Sequence, residues 1–215
     1  DPATPPAEKS RILTYVFDSQ KSATEAWEGV GLQRARTGWT MRRALHGPLE
    51  AAPIPNETVI RIHDYPAHNA ASLQALNNSF ADYYDFHPVS EASWQRQMAA
   101  SYARPDLSWI AWSAEDMDHA VGLAGCWVNA GENRETGRQE GWIEGIGVVP
   151  AFRKRGVGKA LLTRCLVSLQ SAGIEAALAD VDSESTAAVR LFESAGFSVR
   201  NALLQYECPV ETVQR

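Results

Sequence analysis

Four basic side chains and two glycines crowd into Arg153-Lys154-Arg155-Gly156-Val157-Gly158-Lys159. An apolar, strand-like run from Trp142 to Val149 enters this stretch and is stopped by Pro150. An amphipathic run leaves it, with Val157, Leu161, Cys165 and Leu169 spaced four apart, the period of a helix with one apolar face. Strand, glycine turn and helix in that order form an anion site. The first turn of a helix has N–H groups with no partner inside the helix, at the positive end of its dipole. Gly156 and Gly158 have no Cβ to keep a phosphate away from those amides, and Arg153, Lys154, Arg155 and Lys159 surround it with positive charge. A pyrophosphate is the ligand such a turn holds.

Two common pyrophosphate motifs do not fit. Gly158-Lys159 is followed by Ala160, where a P-loop requires Ser or Thr, and a dinucleotide fingerprint requires a third glycine. What remains is Arg-x-x-Gly-x-Gly after the strand end Val148-Val149-Pro150. This resembles the acetyl-CoA motif of the GNAT N-acetyltransferase superfamily, and the resemblance extends over roughly Glu57 to Pro209. More narrowly, the chain resembles the C-terminal unit of tandem GNAT proteins of the mycothiol-synthase-like kind. A second signature, Val-Asp-x-x-Ser-x-x-Ala-x-x-Leu-Phe-Glu-x-x-Gly-Phe, runs from Val181 to Phe197.

The resemblance implies an acetyl-CoA-dependent acetyl transfer to an amine within a ternary complex. It assigns the pantetheine arm to the backbone of Ile146, Gly147 and Val148, and the pyrophosphate to the turn from Arg153 through Lys154, Arg155, Gly156, Val157 and Gly158 to Lys159. It sets Ser185 and Phe192 against the cofactor. The family usually carries Asn in place of Ser185 and, in place of Phe192, a Tyr that protonates the leaving thiolate. Phe192 has no proton to give, so solvent or another residue takes that step; a thiolate leaves readily near neutral pH. For the general base, Glu144 stands on the central strand four residues before Val148, and Asp180 stands on the next strand. A carboxylate inside a central strand seldom occurs without a task, which favours Glu144, whereas Asp180 alternates with Leu178 and Asp182 and also fits a solvated face.

The elements that must hold these residues follow in order. Arg11–Phe17 reads as a strand, Ser22–Glu28 as a helix and Gln33–Arg43 as extended. Residues 46–56, with three prolines and no periodicity, read as a linker. Thr58–Ile62 alternates as a strand, and Pro66–Phe80 follows as a helix with Asp64 placed to cap it. Ala81–Val89 is an aromatic, polar loop, and Ser90 caps a second helix carrying Trp94 and Met98 and ended by Pro105. Leu107–Ser113 and Ala120–Val128 are strands, Asn129–Glu140 a polar loop, Glu175–Val181 a strand, Ser185–Ser194 a helix and Phe197–Glu207 extended. The fold class this predicts is α/β (α+β): a central mixed, mostly antiparallel sheet, splayed at the cofactor strand and flanked by helices.

The strand-helix-strand order of residues 11–45 repeats over residues 175–207. Aligned, Phe17-Asp18-Ser19 matches Val181-Asp182-Ser183, and Glu28-Gly29-Val30-Gly31-Leu32 matches Glu193-Ser194-Ala195-Gly196-Phe197. The favoured division is therefore a partial repeat unit over residues 1–45, the linker at 46–56 and one complete unit over 57–215, with chance similarity as the alternative. Asp1–Lys9 reads as a Pro- and Ala-rich lead-in.

With 215 residues, 45% of them apolar, the chain can bury a substantial core. A net charge of −6 argues against a nucleic-acid surface, and no apolar run reaches membrane-spanning length. Cys126, Cys165 and Cys208 are far apart among apolar neighbours, as in buried reduced thiols of a cytoplasmic protein. No metal site is expected, and His63, His68 and His119 read as surface or strand-end residues. The acceptor falls to the loop Asp82, Tyr83, Tyr84, Asp85, Phe86 and His87, whose acidic and aromatic groups suit a small-molecule or peptide amine. A packed aromatic loop is the plainer reading. Two other functions stay open: a non-catalytic acyl-CoA-binding or degenerate scaffold, and a protein-binding module using the seven tryptophans. Monomer and homodimer are both compatible with these features.

Overall fold

The computed structural model describes residues 11–209. Among the described residues its contacts separate two compact units: one holds residues 11–41, Asp180–Val189 and 199–209, the other Arg42–Ala179 with Arg190–Ser198.

The larger unit carries the glycine turn. Its strands are β3 (Thr58–Ile62), β4 (Trp109–Ser113), β5 (Ala120–Trp127), β6 (Glu140–Val148) and the start of β7 (Ala176–Asp182), in the spatial order β7-β6-β5-β4-β3. Pairing is antiparallel from β3 to β6 and parallel between β6 and β7, the mixed, mostly antiparallel sheet expected. Helices α2 (Asn69–Phe80) and α3 (Glu91–Met98) cover one face. There Ala75, Leu76, Trp94, Ile110, Trp112, Ala120 and Leu123 form one apolar cluster. Helix α5 (Val157–Ser171) covers the other face, and its buried residues include the Val157, Leu161, Cys165, Leu169 stripe. Gly122 and Gly141 allow this approach, since a Cβ on either would lie 3.3 Å from Leu161 and 2.8 Å from Leu169. The 46–56 segment lies along α5: Ala52 N–H donates to Thr163 Oγ1 at 2.8 Å, and Gln170 Nε2 donates to Leu45 O and Gly47 O, each at 2.7 Å.

The smaller unit contains β1 (Arg11–Phe17), α1 (Lys21–Gly29), most of β2 (Gln33–Ala44), the end of β7, the start of α6 (Thr186–Ser194) and β8 (Ser198–Pro209). Its strand order is β1-β8-β2-β7, with β1 antiparallel to β8 from Arg11↔Pro209 to Phe17↔Leu203. The closing strands of the two strand-helix-strand segments, β2 and β8, thus lie side by side in the middle, each next to the other segment's opening strand. A small core of Val16, Leu204 and Tyr206 packs with Trp27, and Tyr206 donates to Glu28 Oε1 at 2.8 Å.

Several local expectations need correction. Helix α2 starts at Asn69 rather than near Pro66, because residues 65–68 form a turn closed by His68 N–H to Asp64 O at 2.7 Å. Asp64 does not cap it; instead Asp64 N–H donates to the His68 ring at 3.1 Å. Helix α3 ends at Met98, well before Pro105, which opens a 3-10 turn that takes Leu107 out of β4. The supposed loop before β6 contains helix α4 (Ala130–Thr136), started by the Asn129 side chain accepting from Glu132 N–H at 3.1 Å and stopped by Gly137 at φ +67°. His63 is a strand-end residue, yet it is buried rather than on the surface. Cys126 and Cys165 are buried free thiols, Cys208 is half-buried, and burial pushes the Cys126 thiol well up. Of the seven tryptophans, Trp94 and Trp112 are buried and the other five half-buried. The Asp1–Lys9 lead-in lies outside the described residues.

Candidate active site

The site is built where β6 hands the chain to α5. Beyond Trp142 the two ladders of β6 part company. Pairing with β7 runs from Glu140↔Ala176 only to Trp142↔Leu178, whereas pairing with β5 continues to Gly122↔Val148. The β5 ladder shifts register between Leu123↔Gly147 and Gly125↔Glu144, so β6 holds one extra residue there, with Gly145 at φ +58°. A bulge of this kind bends a strand and redirects its peptide groups. Ile146 and Val148, assigned to the pantetheine arm, are half-exposed on this bent stretch, and Gly147 is buried.

The alternating glycines of β6 have a second consequence. A Cβ on Gly147 would fall 2.6 Å from Ser79 Cβ and 2.8 Å from Phe80 Cε2, and one on Gly145 would lie 3.4 Å from Leu76 Cδ1. The C-terminal half of α2 therefore rests directly on the backbone of β6. Sequence reasoning placed the acceptor side at Asp82–His87 and missed Leu76, Ser79 and Phe80. The pattern Gly145-Ile146-Gly147 inside a strand was the available signal, since it marks close approach by another element. The Ser79 hydroxyl is buried without a hydrogen-bond partner among the described residues.

Past β6, Pro150–Phe152 make a 3-10 turn, Lys154 adopts φ +60° and Gly156 φ +90°, and α5 begins at Val157. The first helical hydrogen bond of α5 runs from Ala160 N–H to Gly156 O at 3.0 Å. The amides of Val157, Gly158 and Lys159 precede it and form the helix's electropositive end. Val157 contributes only that amide, because its side chain is in the core. Lys154, Gly156 and Lys159 are exposed. A Cβ on Gly158 would meet Leu191 at 3.5 Å and Val148 at 3.7 Å, ordinary contacts, so the protein's own packing does not require glycine there. These residues suit a diphosphate: exposed cations, a left-handed glycine and a helix start on one turn. Arg155 is turned aside, ion-paired with Glu57 and lying over the Phe152 ring at 5.4 Å.

Arg153 is the most heavily engaged residue of the turn. Its Nε donates to Val148 O at 3.0 Å, Nη2 to Ser79 O at 2.9 Å, and Nη1 and Nη2 form a fork on Asp82 at 2.5 and 2.8 Å. This pairing holds the Asp82 carboxyl below its ordinary range. The structure thus joins one residue expected on the cofactor to one expected on the acceptor.

The rest of the acceptor loop is exposed apart from half-buried Phe86, and it is organised by Phe80. The Phe80 ring lies 5.9 Å from Tyr83 and 5.9 Å from Phe86, and the Asn77 amide brackets Val89 with bonds of 2.8 and 3.1 Å. The His87 ring bonds Asp85 O at 3.0 Å, and Tyr84 is exposed. Glu144 is half-exposed on β6 beside the bulge. Asp180, in the smaller unit, is exposed and accepts from Thr40 Oγ1 at 2.6 Å. Ser185, also there, is half-exposed just before α6, and its N–H donates to Asp182 O at 3.0 Å. Phe192 is 2% exposed and packs edge-on against Phe197 at 5.0 Å. Among the described residues no cluster of His, Cys, Asp and Glu could hold a metal ion, and no helix is long and apolar enough to cross a membrane.

The sequence model of the Acetyltransferase (GNAT) family matches residues 73–197, from α2 through both signatures. Mycothiol acetyltransferase of Thermobispora bispora is 32% identical, with 87% of this chain and 66% of that protein aligned. The Nocardia farcinica protein of the same name is 29% identical, with 82% and 57% aligned. The chain therefore spans less than two thirds of the length of these curated relatives. Among solved structures, a GCN5-related N-acetyltransferase from Sphaerobacter thermophilus superposes with a TM-score of 0.78 at 25% identity, over 93% of this chain and 59% of that one. A tandem GNAT protein from the clavulanic acid biosynthesis pathway shares the fold, with a TM-score of 0.66 at 12% identity over 95% and 65%. The glycine turn, the bulged strand that leads into it and a family match across both identify the chain as a member of the GNAT acetyltransferase family.

Proposed function

We propose that this protein is an acetyl-CoA-dependent N-acetyltransferase that transfers acetyl directly to a primary amine. The observation that carries the reading is the junction of β6 and α5: a bulged strand released from β7 beyond Trp142, running straight into a glycine turn with exposed cations. Acetyl-CoA supplies an activated thioester; the amine nitrogen bonds the acetyl carbon, the carbon–sulfur bond breaks, and the sulfur leaves with its electron pair. The chain's part is to hold the diphosphate on the amides of Gly156–Lys159 with Lys154 and Lys159, and to hold the pantetheine amides along Ile146–Val148 as an added strand. Glu144 takes the ammonium proton, directly or through water, with Asp180 as the second candidate. Phe192 cannot return a proton to the thiolate, so solvent does.

The relatives named mycothiol acetyltransferase favour a small-molecule amine over a peptide as acceptor. The smaller unit fits a partial repeat: β1-α1-β2 mirrors β7-α6-β8, with their closing strands exchanged. Residues 1–45 then belong to a remnant unit and 57–215 to the complete one. The contact boundary falls elsewhere because strand exchange carries β8 into the smaller unit. A cytoplasmic setting suits the buried free thiols of Cys126 and Cys165 and the cofactor.

Titration calorimetry with acetyl-CoA tests the reading, with ATP as control. Gly158→Glu is the informative variant. Its Cβ meets only ordinary contacts, and an acidic residue in a helix's first turn favours the helix, so the fold is kept while the anion site receives negative charge. Acetyl-CoA binding should vanish in Gly158→Glu and persist in Glu144→Gln, whose thiol release with an amine panel should fall about 100-fold or more. Normal binding by Gly158→Glu would overturn the proposal.

A further inference from the structure

By sequence, Arg153, Lys154, Arg155 and Lys159 are equivalent cations of the glycine turn, but in the fold Arg153, like the ion-paired Arg155, is engaged within the protein, while Lys154 and Lys159 are exposed. We propose that Arg153 is a positioning residue and not a phosphate ligand: together with Asp82 it clamps the end of α2 and the start of the acceptor loop to the end of β6. Its donors reach three separate segments, namely Val148 O at the end of β6, Ser79 O in the last turn of α2, and the Asp82 carboxylate at the start of the loop. A guanidinium carries five N–H donors in a rigid plane, and four bonds to these three acceptors use most of them. The cation also sits where the α2 dipole is negative, near its last carbonyls. Lys154 and Lys159, in contrast, are exposed on the turn.

The clamp closes a contact that packing alone leaves tight. Ser79 and Phe80 press on Gly147 with no room for a methyl group, and Arg153, bonded to both Ser79 O and Val148 O, ties any lift of the α2 end to the end of β6. The aromatic loop hangs from the same point through Phe80, Tyr83 and Phe86. Asp82 is thereby removed from the acceptor's charge environment, since its carboxylate is already matched by Arg153. The clamp thus links the loop proposed to receive the amine to the strand proposed to receive the pantetheine arm. This inference rests on the acetyl-CoA reading.

Calorimetric titrations with acetyl-CoA on the wild type, Asp82→Asn, Arg153→Gln and the double variant decide the matter. In the clamp, Asp82 never meets the ligand, yet its loss should weaken binding by roughly three- to tenfold. Arg153→Gln should weaken it at least as much, and the double variant should match Arg153→Gln alone, the non-additivity of groups acting as one unit. A merely structural role for Asp82 would lower the melting temperature without moving the dissociation constant. If Arg153→Gln weakens binding while Asp82→Asn leaves it unchanged or tightens it, Arg153 contacts phosphate and the clamp is wrong. Unchanged binding in both single variants refutes it as well. Should Arg153→Gln fail to fold, the exposed Asp82→Asn decides alone. Failure of the wild type to bind acetyl-CoA removes the cofactor reading and this inference together, an outcome distinct from wild-type binding with insensitive variants.

Discussion

Acid should destabilise this protein through one buried imidazole. His63 follows β3 and is only 6% exposed, with its Nε2 3.0 Å from Ser72 Oγ. The Ser72 hydroxyl gives its proton to His68 O at 2.6 Å, so it accepts from His63 Nε2–H. Burial first, and then the neighbouring His68, push the His63 pKa down from 6.5 to about 4, against a smaller opposing pull from Asp64. The His68 ring stacks 6.4 Å away. The sign follows from linkage. The unfolded chain binds the proton first as pH falls below the ordinary imidazole value, so stability present at neutral pH is lost progressively until the folded-state pKa is reached. With 1.36 kcal/mol per unit, the loss is about 2 kcal/mol at pH 5 and about 3 kcal/mol at pH 4. Urea denaturation of the wild type and His63→Gln at about pH 7.5 and pH 5 measures it. The variant is expected to be less stable at the higher pH, yet to lose about 2 kcal/mol less between the two. Parallel losses in the two proteins would refute the assignment of a neutral, buried His63.

Two further substitutions test the packing around the site. Gly147→Ala puts a methyl carbon 2.6 Å from Ser79 Cβ, so thermal or urea denaturation should show a loss of about 1–3 kcal/mol, partly recovered by adding Ser79→Gly; an undiminished stability would mean that α2 is not seated on β6 as described. Phe192→Tyr restores the side chain usual in the family, but at 2% exposure against Phe197 its hydroxyl would be buried without a partner at a cost of about 1–3 kcal/mol. A melting temperature unchanged or raised would show that the hydroxyl finds a partner.

The sequence by itself determined most of the scaffold. Strands β1, β3 and β7 and helices α5 and α6 appear within a residue or two of where alternation, helical spacing and glycine stops put them, because those patterns depend on neighbours along the chain. The strand-to-helix glycine turn was legible as well, since its glycines and cations are neighbours along the chain. Helix α4 was obscured by its polar composition and two glycines, although Asn129, Glu132 and Gly137 are ordinary start and stop residues. What only the tertiary structure decided is how distant segments share their groups. No local pattern in Arg153 distinguishes a cation waiting for phosphate from one bound to Val148, Ser79 and Asp82, the last 71 residues away in the chain. The same holds for His63, whose buried neutral state depends on Ser72 and His68 turning toward it. Nor does sequence reveal that β2 and β8 exchange places beside each other's partner strands, because strand order is set by which edges meet after collapse, and every edge offers the same backbone donors and acceptors.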